Sequence, residues 1–231
     1  MLRFEDVQIT QGDFTLRADL SVDPGARVAV IGPSGAGKST LLNAVAGFLD
    51  IAAGRISWDG GDITATPPAA RPVAMLFQDN NLFPHLTVAQ NIGLGLRPDL
   101  RLSTDQRVLV DGALDRVGLG ALGDRRPGQL SGGQQGRAAL ARVLIQRKPI
   151  VLLDEPFAAL GPALKTEMLD LVAELASETG ATLLMVSHDP ADARRICPQT
   201  ILVDEGRAAP PTDTAHLLDN PPPGLRAYLG N

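Results

Sequence analysis

The stretch RVAVIGPSGAGKST, residues 27–40, places an apolar run directly before a glycine-rich motif. Residues 32–39 of this stretch fit the pattern G-x-x-x-x-G-K-[ST]. The run RVAVI predicts a buried strand, and TLLNAV, from residue 40 onward, has the spacing of a helix. A strand, a glycine-rich turn and a helix in this order are typical of a loop whose backbone N–H groups bind the phosphates of a nucleotide.

Each residue type in this loop has a task in binding a polyphosphate. Gly35 and Gly37 let the N–H groups approach the phosphates without Cβ clashes. Lys38 is expected to reach the β- and γ-phosphates, and the Ser39 hydroxyl to bind Mg²⁺. A glycine-rich turn that binds nothing is the alternative, which the lysine, the hydroxyl and the strand–helix context disfavour. The predicted nucleotide-binding residues of the loop are Gly32, Pro33, Ser34, Gly35, Ala36, Gly37, Lys38, Ser39 and Thr40.

A second apolar run, IVLLDEP at residues 150–156, ends in two acids. Open α/β sheets bind ligands at the carboxyl ends of their parallel strands, so we expect Asp154 and Glu155 to face the loop. Asp154 would then hold Mg²⁺, and Glu155 would act as the general base on the attacking water. A solvated acidic pair after a strand is the alternative.

The remaining segments alternate predicted strands and helices. Two antiparallel strands at 2–10 and 14–22 precede the motif, and helices dominate residues 80–145. This order predicts an α/β fold: a P-loop NTPase core with a mainly parallel sheet, an N-terminal antiparallel β subdomain and an inserted helical subdomain. We expect one domain, 1–231, whose nucleotide-binding core comprises 1–79 and 146–231. The proline-rich tail is expected on the surface.

Composition restricts the class of protein. The chain has 231 residues, of which 44% are apolar, enough for a sizeable core. Its net charge of −5 provides no basic footprint, so we expect no nucleic-acid partner. The single cysteine, Cys197, is expected to be a buried, inert thiol. No apolar run approaches the roughly 20 residues that cross a bilayer, and the N-terminus does not resemble a secretory signal; we therefore expect a cytoplasmic chain.

The motif LSGGQ, residues 130–134, precedes another predicted helix. Taken alone, it indicates a helix that Ser131 caps. The chain, however, also has a glutamine after a strand, Gln78, and a histidine after a strand, His188. With the P-loop, LSGGQ and LLDEP in this order, the sequence resembles the ATP-binding subunits of ABC transporters over essentially its whole length.

The resemblance implies an ATPase that converts ATP and water to ADP and phosphate, with Mg²⁺ as cofactor, in a head-to-tail homodimer. The signature loop of one subunit closes on the ATP that the other holds, so its residues act in trans. Gln78 matches the loop that contacts Mg²⁺ or water, and His188 matches the histidine that reaches the γ-phosphate. The resemblance thus implies three catalytic residues, Glu155, Gln78 and His188. It implies that Mg²⁺ is bound by Ser39, Asp154 and Gln78. The further nucleotide-binding residues that it implies are Ser131, Gly132, Gly133 and Gln134.

Partners also follow from the resemblance. They are transmembrane permease subunits and, through them, a periplasmic or extracellular solute-binding protein, which places the chain peripherally on the cytoplasmic face of the inner membrane. Leu82, Phe83 and Leu86 are expected either to receive a helix of the permease or to form ordinary core. Residues 70–96 and 183–193 are most similar to ATPases of bacterial thiamine importers, which implies import of thiamine or thiamine pyrophosphate.

Alternatives remain at this point. They are an importer ATPase for another small solute and a soluble ABC ATPase without a transport role, although the chain lacks the long coiled-coil insertion usual in the latter. A P-loop kinase or GTPase would leave LSGGQ and His188 unexplained. Three positions depart from the family pattern: Gly161 replaces an aspartate, Gly136 follows the signature within a helix, and Gln11 stands where an aromatic usually stacks on adenine, with Phe14 the nearest aromatic.

Overall fold

The computed structural model describes residues 1–79, 81–158 and 160–229. Asn80, at which the predicted helical subdomain begins, and Gly230 and Asn231, at the end of the predicted domain, lie outside the described residues. The strands are Leu2–Gln11 (β1), Phe14–Val22 (β2), Arg27–Ile31 (β3), Ala53–Trp58 (β4), Gly61–Asp62 (β5), Val73–Leu76 (β6), Ile150–Asp154 (β7), Thr182–Val186 (β8), Gln199–Asp204 (β9), Arg207–Ala208 (β10) and Thr212–Asp213 (β11).

These strands form one hydrogen-bonded sheet in the order β5-β4-β1-β2-β10-β9-β3-β8-β7-β6, with β11 beside β9. Strands β9, β3, β8, β7 and β6 are parallel, and β1, β2, β4 and β5 are antiparallel. The two-residue strand β10 pairs parallel with β2 and antiparallel with β9, and so joins the two parts. The α/β fold with an antiparallel N-terminal part, predicted from the sequence, is confirmed.

Eight α-helices lie within the described residues. They are Lys38–Ala46 (α1), Val88–Gly93 (α2), Thr104–Arg116 (α3), Gly132–Leu144 (α4), Pro162–Thr179 (α5), Pro190–Ile196 (α6), Thr214–Asp219 (α7) and Pro223–Leu229 (α8). Short 3₁₀ turns occur at Pro68–Ala70, Gly120–Leu122 and Pro127–Gln129. No helix in this described part of the chain is long and apolar enough to cross a membrane.

Helices α2, α3 and α4 each begin with the same reciprocal arrangement. A serine or threonine side chain accepts a hydrogen bond from the third residue of the helix, and the glutamine at that position bonds back to the cap N–H. These capping boxes satisfy backbone donors that a helix start leaves free. The pairs are Thr87 with Gln90, Ser103 with Gln106, and Ser131 with Gln134.

Three apolar clusters hold the elements together. The parallel strands are buried on both faces: Val28 and Val30 of β3 face the cluster shared with α1 and the N-terminal strands, while Ala29 and Ile31 face the cluster shared with α4, α5 and α6. The third cluster lies among α2, α3 and α4. Burial on both faces is what a parallel strand of continuous apolar residues requires.

Cys197 lies within the second cluster, as expected, and is 1% exposed. Burial raises the pKa of its thiol to about 12. A thiol with such a pKa stays protonated near neutral pH and is therefore unreactive.

The proline-rich stretch at residues 220–224 lies at the surface, as expected, with Asn220, Pro223 and Gly224 exposed. The tail also forms α7 and α8, and Leu218 and Leu225 insert into the second cluster. The proline-rich sequence did not prevent this, because Pro223 occupies the first position of α8, where a helix needs no N–H donor.

Candidate nucleotide-binding and catalytic site

The glycine-rich loop runs from the end of β3 to the start of α1. Gly37 precedes the helix with a φ of 104°, in the region that favours glycine. A Cβ atom at Gly37 would also lie 2.8 Å from Cζ of Phe14, so the ring packs against the loop from beneath. The loop leads directly into the N-terminus of α1. The first N–H groups of a helix have no partner within the helix, as a phosphate site requires.

Lys38 is held inside this loop. Its Nζ donates to the carbonyl of Gly32 and to that of Pro33, both at 2.8 Å, and the side chain is buried. Burial lowers the pKa of Lys38, while Glu155 and Asp154 act in the opposite direction. An ammonium group has three N–H donors, so the third is available for a phosphate oxygen.

Asp154 ends β7 directly beside the loop. The Ser39 hydroxyl donates to Oδ1 of Asp154 at 3.0 Å. Burial raises the pKa of Asp154, and the Ser39 bond and the Lys38 charge oppose that change. One carboxylate and one hydroxyl suit Mg²⁺, which keeps several waters and takes further oxygens from substrate phosphates. The donor set therefore fits the metal that the sequence predicted.

Glu155 and His188 meet at the carboxyl ends of β7 and β8. These strands pair with Asp154 opposite Val186, which brings the next residues of both strands together. Oε1 of Glu155 contacts Nε2 of His188. Glu155 has a φ of 48°, unusual for a residue with a side chain, and such strain is typical of functional positions.

Tyr228 of α8 contacts the same histidine, and the sequence interpretation missed it. The tyrosine hydroxyl lies 2.9 Å from the backbone oxygen of His188 and 3.3 Å from its Nδ1. The three-residue spacing of Leu225 and Tyr228 was the available signal for an apolar helix face in the tail.

Gln78 lies at the same edge of the sheet but apart from these contacts. It follows β6, which pairs with β7 so that Leu76 is opposite Leu153. Its side chain is exposed and makes no hydrogen bond to the described residues. The structure thus places Gln78 near the site without joining it to Asp154 or Glu155.

The signature motif lies on the helical part of the chain. Ser131 caps α4, and Gly133 is buried against Leu164 of α5, so closely that a Cβ atom would collide with Cδ2. Gly132 is exposed, with open space where its Cβ would be. No hydrogen bond between described residues joins the motif to the loop at residues 32–40.

The residues considered for adenine have other neighbours in the structure. The Phe14 ring is partly buried beneath Gly37. Oε1 of Gln11 accepts a hydrogen bond from Thr40 Oγ1 at 3.2 Å. Phe14 therefore supports the loop, and Gln11 remains exposed beside it.

Comparison with known proteins agrees with this geometry. The family described as ABC transporter matches residues 16–158, more than half of the chain. The chain belongs to the ABC transporter family. The resemblance seen in the sequence is therefore confirmed.

Several full-length relatives of this ABC ATPase carry the same name. The thiamine import ATP-binding protein ThiQ of Ruegeria sp. (strain TM1040) is 64% identical over 230 residues, covering 100% of both chains. The protein of that name in Cereibacter sphaeroides is 63% identical, again with 100% of both chains covered. The one in Yersinia pseudotuberculosis is 53% identical and covers 95% of this chain and 93% of its own.

Solved structures share the fold of this ABC ATPase. One is the dimeric, post-hydrolysis state of an ATP-binding cassette bound to ADP and Pi, with a TM-score of 0.80, 28% identity, and coverage of 93% of this chain and 99% of the other. Another ATP-binding cassette of an ABC transporter has a TM-score of 0.86 and 26% identity, with 96% of each chain covered.

Gly161, where the family pattern has aspartate, caps α5 without a side-chain hydrogen bond. A Cβ atom at this position would meet nothing within 4 Å. The backbone therefore has room for a Cβ at this position, and the glycine leaves out the carboxylate of the family pattern.

Proposed function

We propose that this ABC ATPase is the subunit that powers the import of thiamine or thiamine pyrophosphate through a separate permease. One observation carries the proposal: Lys38, Asp154 and the Glu155–His188 pair converge at the carboxyl ends of neighbouring parallel strands. The full-length likeness to thiamine import ATP-binding proteins supports the choice of solute.

The loop binds the nucleotide through charge and backbone donors. Lys38 already uses two N–H groups on loop carbonyls and directs its positive charge at the β- and γ-phosphates. The amides at the start of α1 add donors and partial positive charge. Ser39, Asp154 and Gln78 would hold Mg²⁺, which neutralises charge on the β- and γ-phosphates when it is bound.

Glu155 serves as the general base in hydrolysis. The water oxygen forms a bond to the γ-phosphorus, the bond from that phosphorus to the β–γ bridging oxygen breaks, and the water proton passes to the Glu155 carboxylate. His188 contacts this carboxylate and holds it beside the phosphate edge. ADP and phosphate are released. A positioned base of this kind contributes roughly 10²–10⁴-fold to a rate.

The signature residues complete the site of a second subunit. Among the described residues of one chain, no hydrogen bond joins the motif to the loop, and Gly132 is exposed. In a head-to-tail homodimer, Ser131, Gly132, Gly133 and Gln134 approach the γ-phosphate held by the partner, which gives two composite sites related by twofold symmetry. The dimeric cassette among the solved structures supports this arrangement.

The permease is proposed to dock near Gln78. Phe77, next to Gln78, contacts the exposed ring of Phe48, and Phe83 is also exposed. Exposed aromatic side chains are typical anchors at protein interfaces. A permease helix at this position would move Gln78, place the chain peripherally on the cytoplasmic face of the membrane, and link it indirectly to a solute-binding protein. No nucleic acid is involved in this scheme.

The test is reconstitution of the chain with its permease subunits and solute-binding protein in proteoliposomes. Thiamine or thiamine pyrophosphate should raise the ATPase rate and enter the vesicles in an ATP-dependent manner. Glu155→Gln should bind ATP without hydrolysis or transport. Stimulation by another solute alone would contradict the thiamine assignment, and normal hydrolysis by Glu155→Gln would contradict the role of the base.

A further inference from the structure

We propose that Tyr228 is a positioning residue of the ATPase site: through two contacts with His188 it holds the imidazole against Glu155. The inference rests on the proposed function, because it takes His188 as part of the hydrolytic site. It assigns a task to the C-terminal helix α8.

The contacts form a continuous chain of three side chains from α8 to the base. The tyrosine oxygen lies 2.9 Å from the carbonyl oxygen of His188 and 3.3 Å from Nδ1 of the same residue. On the opposite side of the ring, Nε2 contacts Oε1 of Glu155. One hydroxyl thus fixes both the backbone and the ring of His188, and a side chain held at two points has little freedom to rotate.

Tyr228 is itself fixed in place. Leu225, one turn earlier in α8, is fully buried, and the Tyr228 ring packs partly buried against the same apolar cluster. Gly224 lies so close to the Asp204 carboxylate that a Cβ atom would collide with it. These contacts fix the position of the short helix α8, and the helix in turn directs the Tyr228 hydroxyl toward His188.

The protons can be assigned to these contacts. A phenol has one hydrogen and two lone pairs, so donation to the His188 carbonyl leaves its oxygen able to accept from Nδ1–H. Burial and the nearby Glu155 and Asp189 raise the pKa of Tyr228, which keeps the hydroxyl protonated. Tyr228 therefore holds the His188 ring with Nε2 turned toward Glu155.

The test uses Tyr228→Phe in the full-length chain, which removes the hydroxyl and keeps the ring. The chain has three histidines, His85, His188 and His216, and ¹⁵N spectra of histidine-labelled protein can resolve them, with His188→Gln as the assignment control. We expect the His188 ring nitrogen signals to move and the other two histidines to remain unchanged. We also expect kcat for ATP hydrolysis to fall about tenfold, with ATP affinity within about twofold of the wild type.

Ala227→Ser, at an exposed position of the same helix, is the matched control and should change neither readout. Unchanged His188 signals in Tyr228→Phe would overturn the inference, as would a kcat equal to that of the wild type. These failures differ from failure of the proposed function, which a wild-type chain without ATPase activity would reveal. A general folding defect would instead lower the thermal midpoint and shift all three histidines.

Discussion

Gly133 packs closely against a neighbour inside the chain and, in the proposed dimer, lies against the partner's nucleotide. The inside neighbour is Leu164 of α5, whose Cδ2 atom occupies the space that a Cβ would need. A substitution at Gly133 therefore tests two ideas at once, packing within the subunit and contact with the partner's phosphate. A second-site change can separate them.

Gly133→Ala should lower the free energy of unfolding by about 1–3 kcal/mol, because the added methyl overpacks a buried contact, and it should abolish ATP hydrolysis. Adding Leu164→Ala makes room for the methyl. The double variant should regain the stability of Leu164→Ala alone, measured by urea unfolding, but not the ATPase rate. Recovery of the ATPase rate in the double variant would show that Gly133 serves packing only.

The C-terminal end of α1 depends on a buried arginine. Arg71 donates through Nη1 to the carbonyls of Ala44 and Val45, through Nε to that of Thr66, and through Nη2 to that of Thr64. The side chain is 3% exposed, and burial lowers its pKa. One guanidinium thus joins the last turn of the phosphate-binding helix to the segment before β6.

Arg71→Met should destabilise the chain by about 2–4 kcal/mol, because two buried and two partly buried carbonyls lose a hydrogen-bond donor. The measurement is the midpoint and slope of urea unfolding. Arg55→Met is the matched control: its guanidinium pairs with Glu5 at the surface, so its loss should change stability far less. Equal effects of the two substitutions would show that the buried carbonyls find other partners.

Elements with a strong local signal were predictable from the sequence. The strand β3, its loop and α1 follow from apolar spacing and glycine positions, and β7 follows from four apolar residues before Asp154. Strand β10 was not predictable, because two residues carry no periodicity and its pairing with both β2 and β9 is a tertiary contact. The position of Tyr228 beside His188 was missed for a similar reason, because it depends on the packing of residues far apart in sequence.

Function at the scale of the whole molecule depends on which residues share a site. The sequence placed Lys38, Asp154 and Glu155 together by the rule for carboxyl ends of parallel strands, and the structure brings their strands together. The contact between His188 and Glu155 could be seen only in the structure. The proposed site across two subunits involves a second copy of the chain and must be tested by mixing variants.

Lys38→Ala removes the phosphate-binding charge, and Ser131→Arg blocks the signature loop. Each homodimer should be inactive, because both of its composite sites contain one defect. An equimolar mixture forms heterodimers with one intact site and one doubly defective site, so activity should reappear at up to about one quarter of the wild-type rate. The measurement is phosphate release after subunit exchange. A mixture that stays inactive while heterodimers are shown to form would contradict the arrangement in trans.

The two hydrogen bonds from Lys38 to the carbonyls of Gly32 and Pro33 are contacts within the loop itself. The loop is therefore preorganised: its conformational entropy is lost during folding, and binding does not have to order it. Binding then depends largely on the attraction between the fixed Lys38 ammonium group and the phosphates of the nucleotide. Affinity should then respond to ionic strength more than to the plasticity of the loop, and association should resemble the docking of a rigid surface.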